Sequence, residues 1–200
     1  MPELLLTHGY FLCEDPKELQ IMKPYAPLGI LYICSHLREQ GFDVEVFDTT
    51  FSSRETLFQH LQTETPSVLG IYANLMTRRN VVEIMRVARE AGWRIIVGGP
   101  EPGAYAQEYL ESGADFVVFG EGEFTMQELL TAFRSSGNTV GREWKSKIAG
   151  AAYRDDEGKL HQNPPRVQIA DLDAQPWPAR KSIDLHRYVD TWRTHHNKVR

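Results

Sequence analysis

Cysteine is scarce in this 200-residue chain, and the two present, Cys13 and Cys34, stand in no metal-binding spacing. That excludes a zinc-ligand set or disulfide framework and fits a reducing compartment. Basic residues are outnumbered, 22 Lys and Arg against 27 Asp and Glu, for a net charge of −5. Nucleic acid is therefore not an expected partner, since its phosphates want a basic surface. No apolar run approaches a membrane span, and Leu4-Leu5-Leu6 behind Glu3 is too short for the core of a secretory leader. Repeats and low-complexity tracts are also missing. What is left is the composition of a soluble, cytoplasmic protein with 42% hydrophobic residues, enough for a real core.

Short apolar runs alternate with helical patterns as far as about residue 134. The strand candidates are Glu3–His8, Val44–Phe47, Val68–Ala73, Arg94–Val97 and Phe116–Phe119. A helix opens at Pro27 and ends by Gly41; a second, capped by Thr77, carries Val81, Ile84, Met85 and Ala88 on one face and stops at Gly92. Further helices span about Ala104–Glu111 and Phe124–Phe133. Strands alternating with helices predict an α/β fold, a flavodoxin-like doubly wound parallel sheet of five strands in the order 2-1-3-4-5. This domain is expected over residues 1–140. A β-hairpin appendage turning at Asp155–Gly158 follows over 141–170. Residues 171–200 read as a connector, "DLDAQPWPAR", and a basic helical stretch with Leu185, Tyr188, Val189 and Trp192 on one face. That stretch leads in to a further domain or docks back on this one.

Ligands of such folds bind beyond the carboxyl ends of the strands, where the loops His8–Pro27, Ala73–Thr77 and Gly98–Gly103 converge. Several ligand classes fail there. Only Gly9 follows the first strand, so the G-x-G-x-x-G of a dinucleotide site is missing, as is a P-loop lysine. A flavin phosphate would meet Glu14 and Asp15 in the first loop. Paired acids for a phospho-receiver site are absent. Gly98 and Gly99, by contrast, leave bare backbone at the sheet edge, and Pro100 and Pro102 remove two amide donors that a phosphate nest would use. Such an edge suits a large, flat, mostly uncharged ligand; a plain strand-ending turn is the competing reading.

The stretches "VGGPEPGAYAQEYLESGADFVVFGEGE", Val97–Glu123, and "PYAPLGILYICSHLREQGFDVEVFD", Pro24–Asp48, resemble the N-terminal cobalamin-binding domain of B12-dependent radical SAM proteins. "DLDAQPWPAR" is similar to that family's connector to its barrel. The resemblance spans roughly residues 3–180. It implies a corrinoid whose nucleotide tail enters a slot between sheet and helices, lined by Gly98, Gly99, Pro100 and Glu101, with Gly120 and Glu121 on the next loop. Related domains carry Ser-x-Leu after the third strand, where this chain has Ala73-Asn74-Leu75. The serine hydroxyl is lost, and Asn74 or Thr77 is the candidate substitute unless both serve only to turn the chain and cap the helix.

The histidine motif Asp-x-His-x-x-Gly of the mutase branch is absent around His8. The resemblance therefore implies a base-off corrinoid with no protein axial histidine, its lower face met by water or covered from Tyr10, Phe11 and Leu12, unless these three anchor the loop in the core. The three-cysteine motif of a [4Fe–4S] cluster is also missing. No catalytic residue and no metal ligand are expected on this chain. Cluster, S-adenosylmethionine and radical SAM barrel would belong to a longer parent, of methyltransferase type. A free-standing corrinoid carrier or sensor, and a ligand-free interaction domain, are the alternatives.

Overall fold

The computed structural model describes residues 2–135 and 142–197; the expected boundary at 140 lies outside the described residues, as do 198–200. Seven strands form one sheet in the order β2-β1-β3-β4-β5-β6-β7: β1 (Leu4–His8), β2 (Val44–Phe47), β3 (Val68–Tyr72), β4 (Arg94–Gly98), β5 (Phe116–Val118), β6 (Ala151–Arg154) and β7 (Leu160–Gln162). The first five are parallel in the expected 2-1-3-4-5 order. Side chains alternate between two cores, as the two-residue period of a strand covered on both faces requires. Leu5, Leu69, Ile71, Ile95 and Val97 point to one face, under α3 (Arg54–Thr63), α4 (Arg78–Glu90) and α5 (Ala106–Glu111). Leu4, Leu6, Val68, Ile96 and Val118 point to the other, under α2 (Leu28–Glu39) and α6 (Gly122–Ser135). On α4 the residues spaced at 81, 84, 85 and 88 are all buried.

Three features depart from the sequence expectation. The hairpin is no separate appendage, because β6 pairs antiparallel with β5 (Val117 opposite Ala152) and continues the sheet. Ala152 faces one core and Tyr153 the other, so the hairpin is sandwiched like the strands before it. The long first loop holds a helix, α1 (Pro16–Ile21), whose N-cap Asp15 accepts from the Lys17 and Glu18 amides. Asp15-Pro16 with Glu18 three residues after the cap is a helix start legible in retrospect. Thr77 does not cap α4 with its side chain. It turns back to Asn74 instead: the Thr77 amide donates to Asn74 Oδ1 (3.0 Å) and the Asn74 amide to Thr77 Oγ1 (3.1 Å).

A short helix, α7 (Arg142–Lys145), precedes β6, and α8 (Leu185–His196) packs back onto the first loop and the end of β2. Its Tyr188 and Trp192 are buried. Trp192 Nε1 donates to the Pro24 carbonyl (2.8 Å), and Tyr188 donates to Asp48 Oδ2 (2.7 Å). The connector reaches α8 by crossing from α6 to α2. Arg166 pairs with Glu128 at 2.6 Å, and the Ala179 amide donates to the Leu31 carbonyl at 3.0 Å.

Candidate functional site

At the carboxyl edge the two core faces open into two cavities separated by Tyr72. The first, about 300 Å³, lies between the sheet and α2/α6. Register divides it into layers. Leu6, Gly70 and Ile96 stand side by side on β1, β3 and β4 and form the floor. Two residues further, Tyr72, Gly98 and Val118 form the next layer, and Gly99 with Gly120–Glu123 makes the rim. Each of two neighbouring strands thus lacks one side chain on this face; Leu6 folds over Gly70, its Cδ2 2.7 Å from a Cβ position there, while the place beside Gly98 stays open as the slot. A Cβ on Gly98 would meet only ordinary contacts, Val118 O at 3.5 Å and Val118 Cβ at 3.7 Å. Gly29 on α2 and Gly120 have nothing within 4 Å of a Cβ position.

The two glycines after β4 therefore have different causes. Gly98 is open toward the slot. Gly99 holds φ +122°, and a Cβ there would overlap the Ala73 carbonyl oxygen. The Ala73 amide is itself bonded to the Gly98 carbonyl (2.8 Å), so neither loop can retreat. Replacing Gly99 by alanine is predicted to cost several kcal/mol, on the order of 3. Gly98→Ala is predicted to cost less than about 1. Urea melts of both proteins check the contrast.

The second cavity, about 820 Å³, lies between the first loop and the start of α4, and Tyr10, Phe11, Asn74 and Thr77 line it. Its wall is braced by Arg54, which pairs with Glu14 (2.6 Å) and Glu83 and donates to Asn80 Oδ1 (3.0 Å). Burial, helped by the nearby Glu18 and Asp15 charges, pushes the Tyr10 phenol up to about 12, so it stays protonated. His8 is buried, and both ring nitrogens are engaged. The Tyr10 amide donates to Nδ1 (3.3 Å), which leaves the proton of the neutral ring on Nε2, 2.9 Å from Asp48 Oδ1. Asp48 also accepts from the Thr50 amide (3.0 Å) and Tyr188. Burial pushes its carboxyl up, but these hydrogen bonds together outweigh it and hold it below the ordinary value of 3.8.

The sequence candidates divide accordingly. Gly98, Gly99, Gly120 and Glu121 line the slot, and Tyr10, Phe11, Asn74 and Thr77 the larger cavity. Asn74 and Thr77 spend their polar groups on each other, which fits the turn half of the turn-and-cap alternative but not the cap half. Phe11 is also part of the core. Leu12 is buried with its amide on the Thr50 carbonyl (3.0 Å), and Ala73 lies buried beneath Gly99. Leu75 is 70% exposed, and Pro100 is exposed on the loop. Glu101 points away from both cavities: Tyr109 donates to it, and its Oε1 lies 3.1 Å from Arg78 Nη1. Arg78 stacks on Tyr105, so this cluster ties the loop after β3 to the loop after β4. Glu121 accepts from the Ile169 amide and holds the connector at the rim.

Sequence reading missed Gly29, Gly70, Tyr72 and Met126, all of which line the slot. The signal for Gly70 was present, because a glycine inside "VLGIY" marks a place where something approaches the backbone.

Among known proteins, the family described as "B12 binding domain" matches residues 21–130. An uncharacterised methyltransferase of Pyrococcus horikoshii is 29% identical over 171 residues, 81% of this chain and 35% of that protein. The hopanoid C-3 methylase of Methylococcus capsulatus is 29% identical over 137 residues, 63% of this chain and 26% of that protein. The chain thus spans about a third or less of these relatives. In fold it matches the cobalamin-dependent S-adenosylmethionine radical enzyme OxsB with aqua-cobalamin bound, with a TM-score of 0.75 and 19% identity over 96% of this chain and 26% of that one.

Proposed function

This chain belongs to the B12-binding domain family, and on that premise we propose that it holds cobalamin base-off, with the nucleotide tail in the glycine-floored slot. It does so as the corrinoid module of a radical SAM enzyme of methyltransferase type. One observation carries the reading: Gly98 leaves its place on an otherwise apolar sheet face open, above a floor where Leu6 lies over Gly70, and a slot opens there at the carboxyl edge. The residues present fit such a tail. Leu6, Ile33, Ile96 and Met126 supply apolar walls, and Gly29 and Gly120 let the chain pass close to a bulky group.

The bound corrinoid would supply a cobalt centre able to carry a methyl group, and everything else falls to the protein. Tyr10 presents a protonated phenol to the larger cavity. His8 supports the reading of a cobalt without a histidine from this chain, because its ring is buried and bonded to Asp48 and the Tyr10 amide. The first-loop wall is fixed through Arg54 and Asn80, which donates to the Gly9 carbonyl at 3.0 Å. The iron–sulfur cluster, S-adenosylmethionine and barrel belong, on this reading, to a part of the parent beyond this chain. The length of the relatives supports that.

The test is anaerobic reconstitution with hydroxocobalamin followed by gel filtration. One corrinoid per chain is expected, with a base-off absorption spectrum, and the reduced cob(II) protein should show no nitrogen hyperfine splitting in its paramagnetic resonance. A protein that emerges colourless refutes the cofactor assignment. A nitrogen-split signal refutes the axial assignment alone.

A further inference from the structure

The depth of the slot carries information about the tail it accepts. Its floor is Leu6, Gly70 and Ile96, with Met126 above them from α6; Leu6 Cδ2 lies 2.7 Å and the Met126 methyl 3.5 Å from a Gly70 Cβ position, so Leu6 covers the glycine. No side chain in this layer offers a hydrogen bond. The backbone offers none either, since β3 is paired on both sides, with β1 and with β4, and its amides and carbonyls are spent in the ladders. Polar side chains begin one layer higher. Tyr72 stands there, its hydroxyl without a hydrogen-bond partner among the described residues, and Glu121 and Glu123 sit on the rim.

We infer that this slot selects corrinoids by their lower base: it takes an aromatic base whose inward edge is hydrocarbon, such as dimethylbenzimidazole, and discriminates against an aminopurine. Met126, Leu6 and Ile96 are the specificity-determining residues. The inference rests on the reading that the slot receives a corrinoid tail, and deepens it. A hydrocarbon edge on the floor gains apolar contact. An amine or ring nitrogen there loses its water and finds no partner, a penalty worth roughly tenfold to a hundredfold in affinity. Tyr72, one layer up, is placed to donate to an acceptor on the base's outer side.

The experiment compares dissociation constants of the 200-residue protein for three probes: cobalamin, the same corrinoid with an adenine base, and cobinamide, which has no base. Cobalamin is expected to bind roughly tenfold or more tighter than the adenine form. Met126→Gln, which sets a carboxamide on the floor, is expected to narrow that ratio by roughly fivefold or more with cobinamide affinity unchanged. Because the readout is a ratio on one folded protein, a general loss of stability does not imitate it. Equal affinity for the two tailed corrinoids, both tighter than cobinamide, overturns the selectivity and leaves the slot as the tail site. A ratio that survives Met126→Gln overturns the floor as its source. Cobalamin binding no tighter than cobinamide overturns the underlying tail assignment and the selectivity with it.

Discussion

Gly98→Leu is expected to abolish cobalamin binding while leaving the protein folded. The position has ordinary backbone geometry, and its nearest neighbours to an added Cβ are Val118 atoms at 3.5 Å and beyond, so the first carbon enters without a clash. The remaining three carbons have one place to go, the layer beside Tyr72 and above the Gly70 floor. An apolar side chain in an apolar slot costs the free protein little. The cofactor, however, must displace it or bind without its tail seated, a loss of roughly a hundredfold or more. Gel filtration with hydroxocobalamin reads the binding, and thermal melting reads the fold. Wild-type affinity in a normally folded variant would remove the slot from the site.

Asp48→Ala is expected to be among the most damaging substitutions outside the core. The carboxylate gathers the His8 ring, the Thr50 amide and the Tyr188 hydroxyl, which come from β1, the turn after β2 and α8. Removing it leaves three partners with nothing to pair with in a largely buried site, a cost of about 3 kcal/mol. For a chain of this size that is a fall of about 6–12 °C in melting temperature. The pH dependence has a definite sign. The folded carboxyl is held below its ordinary value of 3.8, so the unfolded chain binds more protons in that range. The stabilisation is present above the unfolded value and is withdrawn as pH falls below 3.8 toward the folded one. The wild type should therefore lose stability on acidification more steeply than Asp48→Ala. Melting curves collected from pH 7 down to 3 measure this, and parallel acid limbs would show that Asp48 is not the responsible group.

Most of the fold was legible because the sheet is covered on both faces, and its strands read as short apolar runs with helical periods between them. The N-terminus of α1 was missed because a six-residue helix has too little periodicity to stand out, although its Asp-Pro cap was visible. The hairpin's place was not legible at all. Ala151 and Ala152 have no strong strand preference, and only pairing with β5 makes them buried on both sides. For the site, the glycine pair was found, yet its two members have different physical causes, and only backbone geometry separates them. Tyr72 and Met126 carry no motif of their own. Their role comes from what Gly70 and Gly98 leave out beside them, a property of register between strands that no single stretch of sequence carries.

The added hairpin also has a bearing on how this protein behaves in solution. Without β6, the outer side of β5 would present a row of free amides and carbonyls to any other extended chain. With it, the outermost ribbon on that side is β7, three residues long and followed, after Asn163, by Pro164 and Pro165, which have no amide to donate. An edge finished that way gives a foreign strand little to zip onto on the β7 side of the sheet.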